Sequence, residues 1–157
     1  MQGIIKHLES VPIALDTIKQ AAPDHCRVIL YDSLPNSAKT LFGNKSCVII
    51  LYQLHNKGRA TNEVGHYSLV IRRTGKPLYY FSSYGLKPEQ EIAATHSKGK
   101  LLKLLGKYEY NRTVYQKVRN AQTCGLHCLA RTWLYNLNRI AYKKMMTSRF
   151  IAENPDD

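Results

Sequence analysis

The longest uninterrupted apolar run in the chain is Cys47-Val48-Ile49-Ile50-Leu51-Tyr52, and a run of this kind, rich in β-branched residues, is what a strand covered on both faces presents. It predicts a central strand. A polar stretch from His55 to Val64 reads as a loop. His66-Tyr67-Ser68-Leu69-Val70-Ile71-Arg72 then reads as a second strand, Thr74-Gly75-Lys76-Pro77 as a turn and Leu78-Tyr79-Tyr80-Phe81 as a third strand, which together form an antiparallel meander. Arg27 to Tyr31 is another short β-branched run. The Leu34-Pro35-Asn36-Ser37 segment behind it carries turn residues and leads into a helical turn at Ala38 to Phe42.

Helical spacing frames these strands. Ile5, Leu8, Val11, Leu15 and Ile18 recur three or four apart between Ile4 and Gln20, with Pro12 interrupting, so one or two short helices open the chain. Ile92, Leu101, Leu104 and Leu105 give the same spacing between Lys87 and Gly106, broken around His96 to Gly99, and Tyr108 to Val118 holds a further short strand. The most periodic segment comes late. Leu126, Leu129, Ala130, Trp133, Leu134, Leu137 and Ile140 line up as the core face of a helix that begins at Cys124 or Gly125.

With 157 residues, no repeat and no Pro/Gly/Ser linker, the chain predicts a single domain, residues 1–157, of the α+β class. The fold expected is a mixed, mainly antiparallel sheet with the Cys124 helix packed against it and the N-terminal helices covering one side. Lys and Arg number 23 against 11 Asp and Glu, a formal charge of +12, which favours a polyanionic partner such as nucleic acid or an acidic protein surface. No apolar run reaches the ~20 residues that span a bilayer, and Met1 to Ser10 lacks the layout of a signal peptide. The expectation is therefore an intracellular protein with no membrane partner, whose four cysteines, Cys26, Cys47, Cys124 and Cys128, stay reduced.

Cys124 stands at a helix start, where unpaired N–H groups and the positive dipole end favour a thiolate. A cysteine there is by itself as compatible with a small core residue. Its companions narrow the choice: Gly65-His66-Tyr67 opens a strand far upstream, Phe81-Ser82-Ser83-Tyr84-Gly85 follows the meander, Gln116 precedes the cysteine, and Thr123-Cys124-Gly125-Leu126-His127-Cys128 opens the helix.

In that order these elements resemble, from about Ile29 to Asn138, the adenovirus-protease (adenain-like) family and its relatives among ubiquitin-like-protein proteases and small-virus maturation proteases. The resemblance implies Cys124 as nucleophile, His66 as general base and Gln116 as a side-chain donor to the oxyanion. A thiol with an ordinary pKa of ~8.5 needs such a base beside it to attack a carbonyl at neutral pH, and the tetrahedral intermediate needs donors aimed at its oxygen.

Two positions depart from the family pattern. Ser82 falls where the family places an acid or amide to orient the histidine, so either Ser82 does so weakly, or a carboxylate such as Glu63 reaches in, or activity is lost. Gln116 lies one position further from the cysteine than the family places it, and Gln122 is too close to serve. Cys124, His127 and Cys128 include zinc-ligand types, but their spacing matches no zinc site. Cys128 is expected in the core and His127 on the helix flank, while Tyr67, where the family often has Trp, either packs over the imidazole or is plain strand packing.

By resemblance, the chain is a cysteine endopeptidase (thiol protease) that cuts extended capsid or core precursor polypeptides during virion maturation, in the infected cell and the virion, with no cofactor and with DNA as a candidate activator. Two alternatives stay open: a protease removing ubiquitin-like modifiers, and a basic nucleic-acid-binding module on a degenerate protease fold.

Overall fold

The computed structural model describes residues 14–56, 59–116 and 123–147, with the backbone alone for 54–56 and 59–64. Of the opening helical pattern, the part up to Ile13 lies outside the described residues. The rest forms α1 (Leu15–Ala21), whose Ile18 is fully buried. Five strands follow with helices between them: β1 (Cys26–Leu30), α2 (Ala38–Phe42), β2 (Cys47–Asn56), β3 (Arg59–Ile71), β4 (Leu78–Phe81), α3 (Pro88–Ala94), α4 (Lys100–Leu105), β5 (Tyr108–Tyr110), α5 (Cys124–Trp133) and α6 (Arg139–Met146).

The sheet runs in the order β1-β2-β3-β4-β5. Its centre is the antiparallel meander expected from the apolar runs, and a parallel strand joins each side, β1 against β2 and β5 against β4. The sheet is therefore mixed. The stretch read as a polar loop between His55 and Val64 instead extends the hairpin, with His55 opposite Ala60 and Asn56 opposite Arg59 after a register shift between Gln53 and His55. Two paired strands satisfy each other's backbone groups without needing apolar side chains, which is why hydrophobic patterning did not reveal it.

Successive strand residues point to opposite faces, and both faces are covered. Cys47, Ile49 and Leu51 of β2, with Tyr67, Leu69 and Ile71 of β3, pack under α1, α5 and α6. Val48, Ile50 and Tyr52, with Val70 and Tyr80, pack under α2, α3 and α4. The chain is thus three layers deep, which explains why β2 is apolar without alternation.

The face of α5 differs from expectation. Leu126 and Trp133 are exposed, as is Ile140 on α6, while Cys124, His127, Cys128, Arg131 and Thr132 are buried. Polar side chains hold the inner face because each finds a partner there: the Arg131 guanidinium donates to the carbonyl of Leu137 at 2.7 Å, lies over the Tyr142 ring at 4.4 Å, and Thr132 bonds back to Leu129. Hydropathy periodicity is blind to such pairing. No helix among the described residues is long and apolar enough to cross a membrane.

Candidate active site

β4 pairs with β3 only along Leu69, Val70 and Ile71, so His66, Tyr67 and Ser68 run past the end of β4. This leaves a gap in the sheet. Through it, side chains of the α3 layer can meet side chains of the α5 layer. His66 sits at the gap, opposite Tyr52 of β2. The preceding Gly65 is required by close approach: a Cβ there would collide with the Tyr52 carbonyl and press on the Leu51 side chain at 2.9 Å.

Cys124 is the first residue of α5 and is buried. The preceding Thr123 supplies no side-chain cap, and the backbone N–H groups of Gly125 and Tyr67 hydrogen-bond the sulfur. Burial would push the thiol pKa up. The hydrogen bond and charge of His66, aided by those two amides, outweigh burial and hold Cys124 below the ordinary thiol range. Burial likewise opposes the imidazolium, yet Glu91 and then Cys124 raise His66 above its ordinary value. Each partner thus favours the charged form of the other.

The residue that orients His66 is Glu91. Its Oε2 contacts His66 Nε2, which leaves Nδ1 to face the sulfur. Glu91 is 2% exposed, and its other oxygen accepts hydrogen bonds from Ser68 Oγ at 2.9 Å and Tyr80 Oη at 2.8 Å. Ser82, the sequence candidate, is displaced from this role. Its hydroxyl accepts the Tyr84 N–H at 3.2 Å and its own N–H donates to Asn111 Oδ1 at 2.9 Å, so it shapes the loop after β4 instead of touching the imidazole. The side chain of Glu63, the other acid considered, lies outside the described residues. The signal for Glu91 was present but faint: with Pro88 and Ile92 it makes up the buried side of α3 at helical spacing, a carboxylate where an apolar residue is the rule.

Gln116 is also brought to the site. It is buried, its Oε1 accepts from Ser83 Oγ at 2.8 Å and its backbone N–H donates to the Ser83 carbonyl. A cavity of about 690 Å³ opens beside it, walled by His66, Glu91, Tyr84, Leu86, Val114 and Gln116 among others. The turn that brings Tyr84 here relies on Gly85, whose φ of +68° and close approach to the Thr113 carbonyl suit glycine. Residues 117–122, including Gln122, lie outside the described residues.

Of its two expected placements, Tyr67 takes the plain strand packing and not the place over the imidazole. It points to the opposite face and packs in the core beneath α5, its ring 3.2 Å from where a Cβ on Gly125 would stand. Tyr84 and Tyr52 flank His66 instead, with ring centres 5.5 and 5.9 Å away. His127 is buried rather than on the flank, and Cys128 is fully buried. Burial pushes the Cys128 thiol up, and it pushes Cys26 and Cys47 up to about 12. Among the described residues, no group of three or more His, Cys, Asp and Glu is placed to hold a metal ion.

Chemically, the arrangement favours the thiolate and imidazolium forms of a facing thiol and imidazole at a helix N-terminus, with a buried carboxylate against the ring and the Gln116 amide in the same cavity. No known protein-family profile matches the chain. The chain is similar to an uncharacterized protein, V9, of the Sputnik virophage: the two are 23% identical over 156 residues, covering 89% of this chain and 86% of that protein.

Proposed function

We propose that the chain is an adenain-like cysteine endopeptidase of a virus or virophage that processes capsid or core precursor polypeptides. The observation that carries this reading is the Cys124–His66–Glu91 line, in which the thiol is held below its ordinary range by an imidazole that a buried carboxylate orients. The likeness to a virophage protein supports the viral setting. The three-layer fold with its mixed sheet is compatible with an adenain-like core.

In the reaction, Cys124 Sγ attacks the scissile carbonyl carbon and the carbonyl electrons move to oxygen. The donors to that oxyanion, by resemblance, would be the Gln116 amide and the N–H of Cys124 at the helix start. Collapse expels the amine, which takes its proton from His66. Water, deprotonated by His66, then attacks the thioester, releasing the carboxylate product and restoring the thiolate. Glu91 keeps the imidazole oriented and balances its charge through both halves.

The test is to incubate the protein with viral capsid and core precursors and, separately, with conjugates of ubiquitin-like modifiers, with and without DNA at low salt, beside Cys124→Ala. Cleavage of the precursors that depends on Cys124 is expected, together with iodoacetamide labelling of Cys124 ahead of Cys26, Cys47 and Cys128. Cutting of modifier conjugates alone would move the substrate class. If nothing is cut and Cys124 is never labelled, the peptidase reading fails, and tight DNA binding by such an inert protein would favour a nucleic-acid-binding role. The charge of +12 supports DNA as an activator, and rates unchanged by DNA would remove that part.

A further inference from the structure

Glu91 is an ionisable group that sits inside the α3 layer against three hydroxyl-bearing side chains of the sheet. Its Oε1 accepts from both Ser68 and Tyr80, and the Tyr80 oxygen is in turn 2.7 Å from the Tyr52 hydroxyl. Tyr80 and Tyr52 are both fully buried. Since Tyr80 donates its proton to the carboxylate, the Tyr52 hydroxyl must donate to Tyr80. The result is a directed chain across three strands, Tyr52 on β2 to Tyr80 on β4 to Glu91, joined by Ser68 from β3.

We propose that Tyr80, held by Tyr52, is a positioning residue of the site: it fixes one oxygen of the Glu91 carboxylate so that the other stays on His66 Nε2. This rests on the peptidase reading for its consequence and not for its geometry. A buried carboxylate without donors is costly, and a carboxylate free to rotate couples weakly to its partner. Burial, and then the Glu91 charge, raise both phenols far above their ordinary range, so neither loses its proton at any working pH and the direction of the chain is fixed. Ser68 alone cannot replace it, because its oxygen also lies 3.3 Å from His66 Nε2 and is divided between the two groups.

The decisive measurement is the NMR titration of His66 in the wild type and in Tyr80→Phe, Tyr52→Phe and the double variant, which reads the imidazole whether or not any peptide is cut. The titratable groups facing this pair are Cys124 and Cys128 from α5, Tyr52 and Tyr80 from the sheet, Tyr84 from the loop after β4, and Glu91 and His66 themselves. Tyr80→Phe is expected to lower the His66 midpoint by about one pH unit, a tenfold change in proton affinity, and Tyr52→Phe to lower it less, with the double variant no worse than Tyr80→Phe. Cys124 alkylation at neutral pH should fall in parallel. A lowered melting temperature with an unmoved His66 midpoint would reduce Tyr80 to a packing residue and overturn the proposal. A moved midpoint in a protein that cuts nothing would leave the positioning role standing and sink the peptidase reading alone. If Tyr80→Phe does not fold, Tyr52→Phe decides on the same readout, since it breaks the chain one bond further from the carboxylate.

Discussion

Glu91 and Cys124 approach His66 from opposite layers of the molecule, the carboxylate from α3 on one face of the sheet and the thiol from α5 on the other. They can do so because β3 runs beyond the end of β4. An opposite charge at contact distance moves a pKa by about one to three units, so Glu91→Gln should lower the His66 titration midpoint by that much. Iodoacetamide labelling of Cys124 near neutral pH should slow as the imidazolium is lost. Labelling at the wild-type rate would show that the thiolate does not depend on the carboxylate.

Ser82→Ala offers the contrast. The hydroxyl it removes bonds the Tyr84 N–H and makes no contact with the imidazole, so thiol reactivity and its pH dependence should match the wild type. Stability should drop by about 1 kcal/mol, the worth of one intramolecular hydrogen bond, read as a shift in the urea midpoint. A changed pH profile would return Ser82 to the site.

The two substitutions mark where the sequence was readable. Cys124 does begin a helix, as the periodicity read, and Gln116 lines the same cavity as His66, whereas His66 lies inside β3 and not at its start. The acid was not readable in the same way. Glu91 comes from a helix packed across the sheet, ten residues after the strand end at Phe81, and only the three-dimensional gap beyond β4 brings it to His66. The strands of the meander and the helices around His96 were legible from apolar runs and turn residues. The inner face of α5 was not, since Arg131 is buried through pairing with a ring and carbonyls that no periodicity records.

Gln116 is separable from the ionising pair. Loss of one oxyanion donor costs about a hundredfold to a thousandfold in turnover, so Gln116→Ala should lower kcat by that order with KM little changed and Cys124 labelling intact. Ser83→Ala, which frees the Gln116 carbonyl from its 2.8 Å hydrogen bond, should lower kcat in the same direction but less. Full turnover in Gln116→Ala would take it out of the oxyanion site.

The ion pair also leaves a signature in stability, with opposite signs for its two members. His66 binds its proton more tightly in the fold than its ordinary value of 6.5, so the stabilisation it contributes is whole below 6.5 and is lost as pH rises through the raised folded value. Cys124 is held below its ordinary value of 9.0, so its contribution is whole above 9.0 and is lost as pH falls through the lowered folded value. Urea unfolding between about pH 6 and about pH 9 should therefore show the gap between wild type and His66→Gln narrowing with rising pH. The gap between wild type and Cys124→Ala should widen over the same interval. Two gaps that move in the same direction would mean that thiol and imidazole do not exchange a proton in the folded protein, and the attack chemistry would then need another base.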